Sequence, residues 1–255
     1  RPEQVDYVIL THIHLDHAGG AGLFMREFSN ATLTVHPRGA RHMADPARLI
    51  AGTVAVYGEA PTRQMYGDIL PIPVERILET PHASAIRLAG RELQFLDTPG
   101  HARHHVAIRD TRSGHIFAGD VFGLSYREMD QDGRQFIVPT SSPAQFDPAP
   151  YHRSIDLILE ANPEAVYITH YSQIRDVQAK GAVLHRLVDA HAELGLREKD
   201  AGAARPERLR EGVKRIFLEE ARRWGSRLPD ARVLDIYSND VELNALGLGF
   251  WLDSL

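Results

Sequence analysis

The sequence contains no cysteine among its 255 residues. Disulfide bonds and thiolate metal ligands are therefore excluded, so any metal site has to be built from histidine and carboxylate side chains. Long apolar runs are also missing, because none approaches the ~20 residues that a membrane-spanning helix needs. The formal net charge is −5 and no basic stripe is present, so we expect neither a membrane nor a nucleic acid as partner.

The remaining composition is that of an ordinary globular protein, with 43% hydrophobic and 25% charged residues. The hydrophobic periodicity changes late in the chain, and we predict an α/β core over residues 1–174 and a helical subdomain over residues 175–255. The sequence starts at Arg1 rather than at methionine. We therefore expect a fragment or a processed form, in which a targeting segment upstream would not be visible. From the residues that are given, we expect a cytoplasmic protein.

One short stretch concentrates potential metal ligands. It follows the apolar run at residues 5–10, which reads as a buried strand, and its ligand-type side chains are His12, His14, Asp16 and His17. In an extended chain, residues two apart project to the same side, so the first two histidines can bind one ion together. The other two side chains follow where the strand turns into a Gly-rich bend and can face a second point nearby. Buried imidazoles and a carboxylate need partners, which favours a metal site over a merely polar turn.

Further ligand-type side chains follow other predicted strands. We predict hairpins over residues 85–96 and 106–118 and a strand over residues 165–169. Polar residues follow each of these elements, and their ligand-type side chains are His101, Asp120 and His170. Together with the first stretch they supply five imidazoles and two carboxylates. That set suits two divalent ions that share a carboxylate and a water or hydroxide.

These motifs resemble those of the metallo-β-lactamase-fold hydrolases, in particular the glyoxalase II-like branch. The His-x-His-x-Asp-His motif stands at residues 12–17, the next histidine in Thr-Pro-Gly-His at 98–101, the aspartate in Phe-Ala-Gly-Asp at 117–120, and the last histidine in Ile-Thr-His at 168–170. The resemblance implies a four-layer αββα sandwich with the metals at one edge and a helical C-terminal subdomain. The strands that open the family's fold are missing from this sequence.

The resemblance also implies a ligand set and a reaction. One metal is bound by His12, His14 and His101, the other by Asp16, His17 and His170, and Asp120 bridges them. The ions implied are zinc in the first place, with iron or manganese as alternatives. We expect a metal-dependent hydrolase whose dinuclear centre activates a hydroxide to attack an ester, thioester or lactone of a small molecule, with Asp16 orienting the hydroxide.

For several residues near these motifs, the sequence leaves more than one role open. Tyr171 either donates to a substrate carbonyl, as in lactone-cleaving relatives, or packs at a strand-to-helix turn. His105 either supports a metal ligand or is a satisfied core histidine, whereas we expect His104 to be exposed or to face the substrate. The loop at residues 122–146, with its turn at 140–143, is predicted either to select the substrate or to be a plain surface loop. The apolar segment at residues 246–252 is predicted to dock on the core or to form a homodimer surface.

Two other classes of function remain as alternatives. A persulfide dioxygenase of the same superfamily keeps these motifs but binds one iron through two histidines and an aspartate. A non-catalytic binding protein on the same fold is the second, since fold does not fix function. The other histidines lack any motif context, and we expect surface or packing roles for them: His36, His42, His82, His115, His152, His185 and His191.

Overall fold

A computed structural model of the chain describes residues 1–142 and 144–255. These residues form two compact units. The first consists of Arg1–Asp97 and His104–Arg112, the second of Thr98–Arg103 and Ser113–Leu255. The predicted boundary after residue 174 lies inside the second unit, and that division stays a prediction. Pro143, which closes the predicted turn at residues 140–143, lies outside the described residues.

The first unit alternates strands and helices and then adds antiparallel strands. In chain order its elements are β1 (Tyr7–Ile9), α1 (Leu15–Ala18), α2 (Ala21–Glu27), β2 (Thr32–Val35), α3 (Pro37–Ala44), α4 (Ala47–Tyr57), α5 (Glu59–Tyr66), β3 (Ile77–Glu79), β4 (Ala85–Leu88), β5 (Arg91–Asp97) and β6 (Val106–Asp110). Strands β1, β2 and β3 pair in parallel, in that order. Helices cross over between them, as parallel strands require.

The opening strand is partly buried on both faces, which fits its apolar sequence. Val8 packs with Leu33 in one core, and Tyr7 and Ile9 pack against Phe95 of β5 in the other. Strands β4, β5 and β6 form an antiparallel sheet. The first predicted hairpin is therefore confirmed, and its two-residue turn has the positive φ angles, 48° at Ala89 and 78° at Gly90, that suit the right-handed strand twist.

The second unit carries the remaining strands and the long helices. Its elements are β7 (Ile116–Gly119), α6 (Pro148–Glu160), β8 (Val166–Ile168), β9 (Ser172–Ile174), α7 (Val177–Glu198), α8 (Arg205–Trp224), α9 (Asp230–Ile236) and α10 (Ser238–Asp253). Strand β8 lies parallel to β7 and antiparallel to β9. Asp147 followed by Pro148 predicts the start of a helix, and α6 begins there. The Asp147 carboxylate accepts a hydrogen bond from the Ala149 N–H at 3.3 Å.

One predicted helix is divided in the structure. The hydrophobic pattern of the sequence predicts one helix over roughly residues 231–246, but α9 ends at Ile236 and α10 begins at Ser238. The break lies at Tyr237, which is fully buried between the rings of Phe217 at 5.3 Å and Tyr126 at 5.0 Å. Tertiary packing of a large ring overrides the local helical preference here.

The apolar C-terminal segment packs on one face only. Leu248 and Leu252 of α10 are buried, whereas Leu246 and Phe250 are 44% and 43% exposed. Docking on the core is therefore observed, and the homodimer surface stays a prediction. Among the described residues, no helix combines the length and the apolar character needed to cross a membrane.

Candidate metal centre

The first unit brings the ligands of its motif close together. After β1 the chain stays extended through His14 and then enters α1, which carries Asp16 and His17. The ring of His12 lies 4.7 Å from that of His14 and 4.0 Å from that of His17, measured between centroids. Its ligand atom lies within 4.8 Å of theirs. The carboxylate of Asp16 approaches His17 Nε2 at 3.2 Å, so these four side chains form one cluster.

Burial fixes His12 more firmly than its neighbours. The side chain is fully buried, and its Nδ1 shares a hydrogen bond of 3.1 Å with Thr11 Oγ1. Since that bond occupies Nδ1, the nitrogen that can bind a metal is Nε2. The Asp16 side chain is by contrast 46% exposed, so this carboxylate can reach solvent or a substrate.

The second unit gathers the other three predicted ligands. Asp120 follows β7 and His170 follows β8, while His101 lies in the short segment before residue 104. The Asp120 Oδ2 atom lies 3.6 Å from His101 Nε2 and 3.6 Å from His170 Nε2. Ligand atoms held at ~2.0–2.2 Å from one tetrahedral ion lie roughly 3.4 Å apart. The donor set and its spacing therefore fit a metal, with the carboxylate between two imidazoles.

Hydrogen bonds from other elements hold these three ligands in place. His101 Nδ1 lies 3.5 Å from the Thr140 carbonyl oxygen, which leaves Nε2 directed at Asp120. The Tyr151 hydroxyl lies 3.4 Å from the Asp120 carbonyl oxygen. The Ser125 N–H donates to the His170 carbonyl oxygen at 2.6 Å. Such outer contacts fix the orientation of metal ligands.

The loop at residues 122–146 is interior where it supplies the contacts to His101 and His170. Of the loop at residues 122–146, Phe122, Leu124, Ile137 and Val138 are nearly fully buried, and the N–H and C=O groups of Leu124 and Val138 pair at 2.8 and 3.1 Å. These stretches are therefore interior, whereas Glu128, Asp132 and Gly133 between them are exposed, so a plain surface loop describes only the middle of the segment. Its role in substrate selection stays a prediction.

Two histidines beside the motif are buried in the first unit. His104 was expected to be exposed or to face the substrate, but it is only 7% exposed and its Nδ1 accepts a hydrogen bond from the buried Ile13 N–H at 3.4 Å. A buried backbone donor needs an acceptor, which explains why this imidazole lies inside. His105 is fully buried with its ring 5.0 Å from that of His12, a position compatible with either of its predicted roles.

Tyr171 lies on the surface of the second unit, 56% exposed, with its ring 5.7 Å from that of Tyr126. The expected strand-to-helix turn is wrong, since the chain turns directly from β8 into β9. Arg127 stabilises this turn, because its Nη2 donates to the carbonyl oxygens of Tyr171 at 2.7 Å and Gln173 at 3.3 Å. The catalytic role of Tyr171 stays a prediction.

Sequence reasoning missed an acidic side chain near His170. Asp240, in the first turn of α10, is 7% exposed and accepts a hydrogen bond from the Tyr126 hydroxyl at 3.1 Å. Burial raises the pKa of Asp240 to about 6, and the Tyr126 hydrogen bond and the nearby His170 act against that rise. An acidic residue early in a helix is common in any sequence, so no local signal distinguishes it.

Comparisons with known proteins identify the family and the fold. The profile of the metallo-β-lactamase superfamily matches residues 1–170. The metallo-β-lactamase fold-containing protein ST1585 of Sulfurisphaera tokodaii is 24% identical over 177 residues, 66% of this chain and 61% of that protein. The match thus spans less than two thirds of that relative's length.

Solved structures show the same fold. The crystal structure of the archaeal superfamily protein ST1585 from Sulfolobus tokodaii has a TM-score of 0.62 at 19% identity, over 96% of this chain and 80% of that one. The metallo-β-lactamase family protein TTHA1429 from Thermus thermophilus has a TM-score of 0.63 at 22% identity, over 99% of this chain and 76% of that one. A peroxy diiron species of the chemotaxis sensor ODP has a TM-score of 0.50 at 16% identity, over 72% of each chain.

The predicted fold class is confirmed, since the chain is a mixed α/β protein with a helical C-terminal region and neighbours of metallo-β-lactamase fold. At these identities the solved structures establish the fold alone. The family follows from the profile, which covers two thirds of the sequence and all seven predicted ligands. The chain belongs to the metallo-β-lactamase superfamily.

Proposed function

We propose that this chain is a metal-dependent hydrolase acting on an ester, thioester or lactone of a small molecule. The observation that carries the proposal is the position of Asp120, whose Oδ2 lies 3.6 Å from the Nε2 atoms of both His101 and His170. A carboxylate between two imidazoles suits a shared ligand of a metal pair. Membership of the superfamily supports this interpretation.

The residues that would hold the metals are those of the resemblance. The first ion would be held by His12, His14 and His101, the second by Asp16, His17 and His170, with Asp120 shared. When bound, divalent ions at such a centre supply a Lewis acid and a hydroxide available near neutral pH. Zinc is the ion we propose, because imidazole and carboxylate ligands suit it.

The chain's own side chains would orient the reactants. Asp16, with its exposed carboxylate, would accept a hydrogen bond from the attacking group and so direct it. Tyr171, whose side chain is also exposed, would donate from its hydroxyl to the substrate carbonyl. The buried segment at residues 122–125 would keep His170 fixed through the hydrogen bond from Ser125, because a displaced ligand loses both affinity and rate.

The test is a panel of chromogenic esters, thioesters and lactones, with a phosphodiester and a cephalosporin for comparison, assayed with zinc-loaded protein. His12→Ala and Asp120→Asn should each lower kcat/KM by about 10²-fold or more while circular dichroism shows unchanged helix content. Asp132→Asn makes the same chemical change at an exposed carboxylate that pairs with Arg227 and should leave turnover unchanged. Full activity in both ligand variants would refute the proposal.

Metal analysis separates the other classes of function. One iron per chain together with oxygen uptake on glutathione persulfide would replace the hydrolase by a dioxygenase. A full metal complement with no turnover of any substrate would instead support a binding protein.

Tyr171→Phe examines the tyrosine separately. Removing the hydroxyl should lower kcat/KM for a lactone by about 10-fold, since one hydrogen bond to the reacting carbonyl is lost. An unchanged value would leave Tyr171 with a structural role only.

A further inference from the structure

A repeated pattern occurs on two helices outside the seven predicted ligands. Helix α6 carries His152 and Asp156, and helix α7 carries His185 and Asp189, so each helix has a histidine followed four residues later by an aspartate. Residues four apart lie on the same face of a helix. Each helix therefore presents an imidazole and a carboxylate together.

The two pairs meet crosswise. His152 Nε2 lies 3.0 Å from Asp189 Oδ1, and His185 Nε2 lies 3.0 Å from Asp156 Oδ1. The two Nδ1 atoms are then 2.7 Å apart, and the planes of the two rings differ by only 5°. The four side chains form one continuous chain of polar contacts from helix to helix.

This arrangement calls for a cation between the imidazoles. Because each Nε2–H is directed at a carboxylate, each neutral ring keeps its lone pair on Nδ1. Two lone pairs that face each other at 2.7 Å repel unless a proton or a metal ion lies between them. Two carboxylates and two neutral imidazoles carry a formal charge of −2, which attracts a positive ion.

We propose that His152 and His185 form a second, separate metal site, which takes a divalent transition ion of the zinc and copper class through their Nδ1 atoms. A carboxylate behind each metal-binding imidazole is the arrangement that fixes the tautomer and raises ligand basicity. The histidine side chains are 26% and 27% exposed, so an ion can enter from solvent and water can complete its coordination.

The geometry requires both rings to move. The ring centroids are 5.0 Å apart and the Nδ1 atoms 2.7 Å apart, so the two lone pairs point at each other along nearly one line. Ligand nitrogens at ~2.0–2.1 Å from a tetrahedral ion lie roughly 3.4 Å apart, so the Nδ1 atoms would separate by about 0.7 Å and the rings would tilt away from that line. Partly exposed side chains on two helices can make that movement by changes of their χ angles. The bound ion would cross-link α6 to α7.

Zinc counting tests the site, with Zn²⁺ alone as the probe. Zinc-loaded protein is dialysed against buffered free zinc and the metal is measured by mass spectrometry. Wild type should hold about one more ion per chain than His152→Gln or His185→Gln, since a single imidazole binds weakly. His42→Gln removes a histidine on α3 that bonds Arg41 and should keep the wild-type count.

Two further measurements keep the test independent of hydrolysis and of folding. Asp156→Asn keeps both imidazoles but removes the carboxylate behind His185. It should lower the affinity for the additional zinc ion by about 10-fold or more. Nitrogen NMR of labelled histidines should show zinc-dependent shifts at Nδ1 of both residues. Equal zinc counts in wild type and both histidine variants would overturn the proposal and leave a shared proton between the rings.

Discussion

Replacing Gly100 by alanine tests how the fold positions His101. Gly100 has a φ angle of 128°, which side chains rarely tolerate, and a Cβ there would lie 2.3 Å from the Cα and 2.5 Å from the N of Tyr151. Ordinary contact begins at 3.4 Å, so the two backbones must separate by about 1 Å. Tyr151 lies inside helix α6, which resists displacement, and the movement should therefore fall on the segment that carries His101.

Two costs follow from this geometry. The strained φ angle contributes about 1–3 kcal/mol, and the forced separation of packed backbones a similar amount, so the free energy of unfolding should fall by about 2–6 kcal/mol. A ligand displaced by about 1 Å should lower activity by about 10²-fold and weaken zinc binding. Thermal denaturation and zinc retention during dialysis measure the two effects.

Gly133→Ala is the matched control. Gly133 has a φ angle of 72° but open space around the site of a Cβ, so it carries the conformational cost without the collision. We expect a loss of about 1 kcal/mol and full zinc retention. The reasoning fails if Gly100→Ala unfolds at the same temperature as Gly133→Ala and holds zinc equally well.

Three further predictions concern buried polar groups of the second unit. Burial lowers the pKa of His191 from 6.5 to about 4. Between these two pH values the unfolded chain binds a proton at this imidazole and the folded state does not. The free energy of unfolding therefore falls as the pH drops from 6.5 towards 4. His191→Phe should remove about 3 kcal/mol of that loss, seen as a flatter pH profile in urea denaturation. Asn244 accepts hydrogen bonds from Ser141 N at 2.6 Å and from Ser141 Oγ at 2.7 Å. Changing Asn244 to alanine should lower the free energy of unfolding by about 2–4 kcal/mol, because the buried Ser141 N–H loses its acceptor. Glu220→Gln should cost about 1–2 kcal/mol by breaking the 2.7 Å pair with Arg186, measured as a lower urea midpoint.

Each of these has a result that contradicts it. A pH profile that stays parallel to wild type would show that His191 does not titrate as its burial implies. An Asn244→Ala midpoint within error of wild type would mean that water replaces the lost acceptor. A Glu220→Gln chain as stable as wild type would show that the ion pair only balances its own desolvation.

Local patterns predicted much of the framework. The apolar run before His12, the hairpin turn at Ala89 and Gly90, and the Asp147 cap of α6 each depend on a few adjacent residues, and each is found. The break at Tyr237 lies outside the local pattern, because the rings that pack against it, Tyr126 and Phe217, are distant in the sequence. Strand β9, which pairs with the neighbouring β8, is also absent from the sequence prediction.

In the candidate site, too, some features follow from local sequence patterns and others do not. The motif histidines can be recognised from their spacing in the sequence, and within each unit the structure brings its own motif histidines close together. The burial of His104 depends on the Ile13 backbone, and the place of Asp240 beside Tyr126 depends on a helix more than 100 residues later. A single sequence carries no trace of such contacts.

The buried course of residues 122–125 and 136–141 has a consequence for engineering this chain. Loop exchange is a common way to change what an enzyme accepts, and it succeeds where the exchanged segment lies on a surface. Here a transplanted loop would have to refill the space of Phe122, Phe136 and Val138, and it would remove the support of the His170 backbone. Changes of specificity should therefore begin with single substitutions at exposed positions such as Tyr171, which leave that interior intact.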